Sequence, residues 1–362
     1  MLYPIGIQSF EKIRQGGYVY VDKTDLIYKI AKTGQYYFLS RPRRFGKSLL
    51  VSTMEAYFKG KKELFDGLAV ASLEKDWTEY PVLHLDLGGA NYADMDALKE
   101  KLGRQLNDLE SEYGVVRKYK TLPVRFETII EAAYRKTGRQ VVILVDEYDK
   151  PVIDNLDRPE LQDKMRETLR GFYGVMKSKD AFIRFGFLTG VTKIGKMSVF
   201  SDLNNPKDIS MDSRYTDICG VSETDLTDCF AESVRELAEA NGLSEEECRQ
   251  KLALMYDGYH FCHGSEDIYN PFSLIKCLDA REFGSYWFET GTPTFLLERL
   301  RKNPMDETKL DKMTEIAQSD FDISPELTED TLPMLYQTGY LTIKGYNKED
   351  HSYTLGYPNR EV

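Results

Sequence analysis

No stretch of this chain stays apolar for the roughly 20 residues of a membrane span. Its N-terminus, Met1-Leu-Tyr-Pro-Ile-Gly6, lacks the basic start and apolar core of a secretory signal. The five cysteines are odd in number and scattered, so no disulfide framework is expected. Histidine is scarce, at four residues, and the cluster His260-Phe-Cys262-His263 fits none of the usual zinc spacings. There is no excess of positive charge. A net charge of −11 and a pI near 5.1 speak against non-specific nucleic-acid binding by the chain as a whole. Internal repeats, low-complexity tracts and a Ser-His-Asp order are also missing. What remains is the expectation of a soluble cytoplasmic protein, 41% hydrophobic and 30% charged. At 362 residues it is too long for one ordinary core and predicts two domains.

What is present is a pair of segments about a hundred residues apart. The first, Tyr36-Tyr-Phe-Leu-Ser-Arg-Pro-Arg-Arg-Phe-Gly-Lys-Ser-Leu-Leu50, reads as a short strand, a loop and a helix start. Gly46, Lys47 and Ser48 match the end of the phosphate-loop pattern G-x-x-x-x-G-K-[ST]. In that pattern the backbone N–H groups surround an anion, the lysine reaches phosphates and the hydroxyl binds Mg²⁺. Arg41 stands where the first glycine belongs, so Arg41-Pro42 must turn the chain by another route. Arg43 and Arg44 add permanent charge next to the expected phosphates. Arg41, Arg43, Arg44 and Lys47 together make the densest basic cluster of the chain.

The second segment, Val141 to Asp149, opens with an unbroken apolar run, Val141 to Val145, that leads to Asp146 and Glu147. Such a run fits a parallel strand covered on both faces. Two carboxylates at its end are costly to bury alone. A magnesium ion held by Ser48 and Asp146 would compensate them, and Glu147 would orient the attacking water. The expected nucleotide contacts are therefore Arg43, Arg44, Phe45, Gly46, Lys47, Ser48, Leu49, Asp146 and Thr189, with Lys47 and Glu147 catalytic.

The remaining elements set the topology. Pro81 to Leu87 and Ile183 to Leu188 read as strands, and Tyr215 to Cys219 as the last strand. Tyr18 to Val21 reads as a short strand ahead of a helix that starts near Asp22-Lys23-Thr24-Asp25. Helices are expected over Met95 to Tyr113, Phe126 to Arg135 and Leu161 to Lys177. One strand between the phosphate-loop and acidic strands, and one after them, resembles the P-loop arrangement in which a sensor strand sits between those two, which implies a parallel sheet in the order last–first–fourth–third–second, with right-handed crossovers. Thr189 or Thr192 would then face the terminal phosphate. The fold class is α/β: a P-loop NTPase with a parallel sheet of about five strands flanked by helices over residues 1–220. Part of the segment 1–35 is expected near the base. From 221 to 362 the character changes to a mainly helical lid. Helices are expected after Ser222, from Gly242 to Tyr256, over Pro271 to Leu278, Phe295 to Arg301 and Thr331 to Thr338. Strands at Tyr340 to Lys344 and Tyr353 to Leu355 then resemble a winged-helix unit.

Several blocks resemble the predicted AAA-ATPase-like family of bacteria. They include Pro4-Ile-Gly-Ile7, Tyr20-Val-Asp-Lys-Thr24, Arg41-Pro-Arg-Arg-Phe-Gly-Lys-Ser48, Asp146-Glu-Tyr-Asp149, Leu188-Thr-Gly-Val191, Tyr256-Asp-Gly-Tyr259, Tyr269-Asn-Pro-Phe-Ser273 and Trp287-Phe-Glu-Thr-Gly-Thr-Pro293. The resemblance covers nearly the whole chain. It implies ATP as the nucleotide, and in that family the missing first glycine is usual. Members usually carry a further domain resembling PD-(D/E)XK nucleases. Gly356 to Val362 fall about where it would begin, so nuclease activity and nucleic-acid contact are not expected from these residues.

Two readings follow. In the first, the chain is an Mg-dependent ATPase switch whose nucleotide state controls the lid and an attached effector. Its partners are a second copy of the chain or another protein, which would supply an arginine. In the second, it is a non-catalytic nucleotide-binding or protein-interaction module with a degenerate loop. A DNA-binding regulator using the winged unit is disfavoured by the acidic charge.

Overall fold

The apolar run ending in Asp146 forms a strand buried at every residue. Such a strand needs a neighbour on each edge and a layer on each face. The computed structural model describes all residues except 194–205, 288–295, 298–299, 302–313, 318–320, 322–327 and 329. In it, β1 (Tyr36–Ser40), β2 (Val82–Asp86), β3 (Val141–Asp146), β4 (Ile183–Gly190) and β5 (Lys207–Asp208) form one sheet. The order is β2-β3-β4-β1-β5 and every pairing is parallel. This is the order expected from the sequence, with β4 between the phosphate-loop strand and the acidic strand.

The last strand lies at Lys207–Asp208 and not at Tyr215 to Cys219. There, Ser213–Tyr215 makes one tight turn, with the Asp212 side chain accepting from the Arg214 N–H. The carbonyls of Tyr215 and Thr216 accept from the Arg41 guanidinium. Main-chain groups engaged in this way are not available to a ladder. Tyr18 to Val21 is likewise no strand, and the Val19 N–H donates to Leu2 O. The helix expected from Leu161 to Lys177 stops at Tyr173, and Val175–Ser178 is a separate turn.

Helices α1 (Phe10–Gln15), α2 (Thr24–Thr33), α3 (Lys47–Phe58), α4 (Met95–Tyr113), α5 (Leu122–Thr137) and α6 (Pro159–Tyr173) cover the sheet. Alternate β3 residues face opposite sides. Ile143 and Val145 pack with Leu98, Leu102, Phe126 and Ile130 from α4 and α5. Val142 and Leu144 pack with Ile27, Ile30, Val51 and Met54 from α2 and α3.

After residue 220 two capping boxes start helices. Ser222 with Asp225 begins α7 (Glu223–Ala240), and Ser244 with Glu247 begins α8 (Glu245–Tyr256). With α9 (Pro271–Ala280), these enclose a core around Leu226, Phe230, Leu252 and Leu274. Then β6 (Thr314–Ala317), α10 (Leu332–Thr338), β7 (Thr342–Asn347) and β8 (Ser352–Gly356) build an antiparallel sheet in the order β6-β8-β7. The β7–β8 hairpin was expected and β6 was not. Of the helix expected over Phe295 to Arg301, residues 296, 297, 300 and 301 are helical, and 295, 298 and 299 lie outside the described residues. Ile316, Ile343 and Leu355 of this sheet join the core that β3 shares with α4 and α5.

Lys23, just ahead of α2, is 8% exposed and reaches Asp217 at 3.0 Å and Asp225 at 2.6 Å. It thereby ties the N-terminal segment to the start of α7. Lys23→Ala would leave a half-buried carboxylate pair without its cation. It is expected to lower stability by about 1–3 kcal/mol, read as a lower urea midpoint at unchanged m value.

Candidate functional site

Residues 41–46 join β1 to α3. Gly46 takes φ 85°, a left-handed turn that favours glycine, and delivers the chain into the helix. The Leu50 N–H donates to Gly46 O at 2.9 Å and opens the helical ladder. The N–H groups just before it are the orphan donors of a helix start, where the helix dipole favours an anion. Arg44 is also left-handed, at φ 67°, and its guanidinium lies 4.9 Å from the Phe272 ring. Lys47 is buried and its Nζ donates to Arg41 O and Pro42 O, both at 3.0 Å.

Arg41 does not join the basic cluster expected from the sequence. Its guanidinium is 1% exposed, donates to the carbonyls of Ser40, Ser210, Tyr215 and Thr216, and stacks 4.1 Å from the Phe261 centroid. Burial pulls its pKa below the ordinary value. Carbonyls take up its two terminal nitrogens, which the planar fork allows, while its buried Nε has no acceptor among the described residues.

The acidic strand ends level with this loop, because β4 registers Ser40 against Gly190 and Val145 against Leu188. Burial pushes the Asp146 carboxyl up, opposed by a hydrogen bond from Ser48 and by the charge of Lys47. Glu147 has φ 51°, an outlier for a residue with a side chain, and its N–H donates to Asp146 Oδ1 at 3.0 Å. Burial raises its pKa as well, with Lys47 opposing and Asp146 and Asp86 reinforcing. A Cβ on Gly88 would lie 2.9 Å from Glu147 Oε2, so only glycine leaves room for this carboxylate. Burial conversely pulls Lys47 down, against the pull of Asp146, Glu147 and Asp149.

Asp149 is the residue to which the sequence reading gave no role. It is buried and accepts from the Thr192 N–H at 2.7 Å, the Thr192 hydroxyl at 2.9 Å and the Val191 N–H at 3.1 Å. A Cβ on Gly190 would lie 2.3 Å from Asp149 Oδ1. The sequence signal was the adjacency of Asp146-Glu-Tyr-Asp149 to a strand end, together with a glycine at the end of β4.

A cavity of about 450 Å³ opens above these groups. Arg43, Arg44, Gly46, Lys47, Ser48 and Leu49 line one side, with Glu147, Asp149 and Lys150 beside them. Ile5, Ile7 and Gln8 of the N-terminal segment and Pro271, Phe272 and Ile275 of α9 also line it. The lining of the cavity thus combines charged groups with apolar ones, and the Arg44 guanidinium meets the Phe272 ring within it. Phe45 and Thr189 do not line it. Phe45 is buried 4.8 Å from the Tyr259 ring, and the Thr189 hydroxyl donates to Leu39 O at 2.8 Å. Asp146 sits behind Ser48. Among the described residues no three His, Cys, Asp or Glu side chains are grouped to hold a metal by themselves. The Ser48–Asp146 oxygen pair suits magnesium, which takes one or two protein oxygens and leaves the rest to phosphates and water.

A family profile described as "Predicted AAA-ATPase" matches residues 4–200. A protein of Azotobacter chroococcum mcd 1, described as an uncharacterized protein in the vnfD 5' region, is 42% identical over 365 residues. That alignment covers 99% of this chain and 68% of the relative. The chain belongs to the predicted AAA-ATPase family. Membership points to nucleotide binding, and the family match spans the phosphate loop, the acidic strand and the end of β4. In this AAA-ATPase-like chain the residues from α9 that complete the cavity lie outside the matched span. No helix among the described residues is long and apolar enough to cross a membrane.

Burial pushes the Asp149 carboxyl up to about 6, although the Thr192 bonds pull it down. A folded-state pKa above the unfolded one gives stability that is full below the unfolded value and is lost as pH rises through the folded value. Between pH near 4 and pH near 6 the wild type is therefore expected to lose up to about 3 kcal/mol relative to Asp149→Asn. Urea midpoints of both proteins across that range check the sign and the window.

Proposed function

We propose that this chain binds ATP with magnesium and hydrolyses it, and that the state of the nucleotide is passed to residues beyond 220. The observation that carries this reading is the cavity that Lys47 and Glu147 share, lined by the basic loop, by carboxylates and by apolar side chains of residues 5–7 and α9. Its volume, about 450 Å³, lies within the range of small-ligand sites. The triphosphate would lie along the N–H groups of Phe45 to Leu49, with Lys47 turning from the loop carbonyls to the phosphate oxygens. Arg43 and Arg44 would add charge there. The base would enter between Ile5 and Ile7 on one side and Phe272 and Ile275 on the other.

Ser48 and Asp146 would hold magnesium, which when bound neutralises charge on the phosphates. Glu147 would orient the attacking water and take up its proton; burial and neighbouring carboxylates already raise its affinity for one. Of the two threonines at the end of β4, Thr192 is the better sensor candidate. Its N–H and hydroxyl both bind Asp149, which lines the cavity, whereas the Thr189 hydroxyl is held by Leu39 O. Residues 1–220 would form the nucleotide-binding part, and residues 221–362, through α9, the lid and the link to an effector. Turnover would further need an arginine from a second copy or from another protein.

Binding without turnover is the second reading, favoured by the resting bonds of Lys47 to its own loop. Thermal unfolding with Mg-ATP separates site from no site. At a hundredfold excess over the dissociation constant the native state gains about 2.7 kcal/mol, so the melting temperature of wild type should rise and that of Lys47→Ala should not. Glu147→Gln should keep the rise and lose turnover by about a hundredfold or more. Turnover in Glu147→Gln equal to wild type would remove Glu147 from its role. A melting shift in wild type with no turnover at all would select the second reading.

A further inference from the structure

We propose that Arg41 and Phe261 are positioning residues for Lys47, so that the region after residue 206 sets the geometry of the phosphate loop. The role of Lys47 rests on the reading above; the anchoring itself does not. The two resting acceptors of the Lys47 ammonium are the carbonyls of Arg41 and Pro42, each at 3.0 Å. Both residues are held from outside the loop. The Arg41 guanidinium donates to Ser210 O at 2.7 Å, Tyr215 O at 3.1 Å and Thr216 O at 3.3 Å. Its other face lies 4.1 Å from the Phe261 ring centroid. Pro42 packs against Gly339, where a Cβ would come within 2.8 Å of the proline Cβ and where φ is +88°. Only a glycine accepts both the approach and the turn at that position.

Phe261 has a second contact with the loop. Its ring meets Phe45 edge-to-face at 5.4 Å, and Tyr259 meets the same ring at 4.8 Å. The loop is therefore pinned at Arg41, Pro42 and Phe45, on the N-terminal side of Lys47, by residues from 210 to 339. A glycine in place of Arg41 would lose the first of these holds. Neither Arg41 nor Phe261 lines the cavity. Any effect they have on a ligand must act through the backbone that carries Gly46 and Lys47. Movement of the segment around Tyr259 and Phe261 would shift the carbonyls that Lys47 rests on, and displacement of Lys47 by a phosphate would be felt at Phe261.

Amide hydrogen exchange on the ligand-free protein tests this, with wild type, Phe261→Leu and Arg41→Lys compared. Leucine keeps apolar bulk but offers no ring to the guanidinium. Lysine keeps the charge but has no planar fork for several carbonyls. In both variants the amides of residues 43–49 are expected to exchange about tenfold faster, while those of β3 and β4 keep wild-type rates. A purely structural role would instead speed loop and sheet together, and that outcome overturns the proposal. So do loop amides that exchange at the wild-type rate. Should Arg41→Lys fail to fold, Phe261→Leu decides alone. In the same samples Mg-ATP titration is expected to show a dissociation constant about tenfold weaker for Phe261→Leu than for wild type. Wild type that binds no Mg-ATP would sink the nucleotide reading and leave the exchange result to decide the anchoring.

Discussion

An ammonium group held out of water must be matched by acceptors and negative charge or give up its proton. Lys47 is in that position, 7% exposed at the head of α3. Two loop carbonyls accept from it, and the charges of Asp146, Glu147 and Asp149 oppose the effect of burial. The same ammonium offsets the burial of Asp146 and Glu147. Each side of the site makes the other tolerable. The sheet order serves this balance, since β4 pairs with both β1 and β3 and brings their carboxyl ends level.

Crowded carboxylates also dictate where side chains are forbidden. Gly88 leaves space for Glu147, and Gly190 leaves space for Asp149. Glu147 itself adopts a backbone conformation that side chains disfavour. Strain, buried charge and close approach are concentrated at one end of an otherwise apolar sheet. A fold tolerates such local conflicts where a site requires them and is consistent elsewhere. Here the consistency is visible in the β3 faces, each filled by aliphatic and aromatic side chains.

The region after residue 220 contributes more than a separate layer. It supplies Pro271, Phe272 and Ile275 to the cavity and packs Tyr259 and Phe261 around Phe45. Its small sheet shares a core with β3. Arg41 explains how a phosphate loop forms here without its first glycine. The side chain leaves the site and donates from its terminal nitrogens to carbonyls of the segment following β5, so the turn is held by tertiary contacts instead of backbone freedom.

Local chemistry carried much of this in the sequence alone. A five-residue apolar run, a Gly-Lys-Ser before a helical period, and Ser-x-x-Asp or Ser-x-x-Glu boxes act over a few residues and are legible without a fold. Strand order was legible too, because the chain order of the strands matches the P-loop arrangement with a sensor strand between the phosphate-loop and acidic strands, and parallel connections then cross over with one hand. Tertiary structure alone decided which distant segments close the site. The edge strand of two residues at Lys207 is too short to show a period, and β6 forms only by pairing with β8. The far wall of the cavity joins residues 5–8 to α9 across more than 260 positions of chain. The direction of Arg41, from member of the expected basic cluster to buried anchor, depended on carbonyls some 170 residues away. Periodicity and turn chemistry are properties of neighbours in sequence, whereas burial and charge matching are properties of neighbours in space.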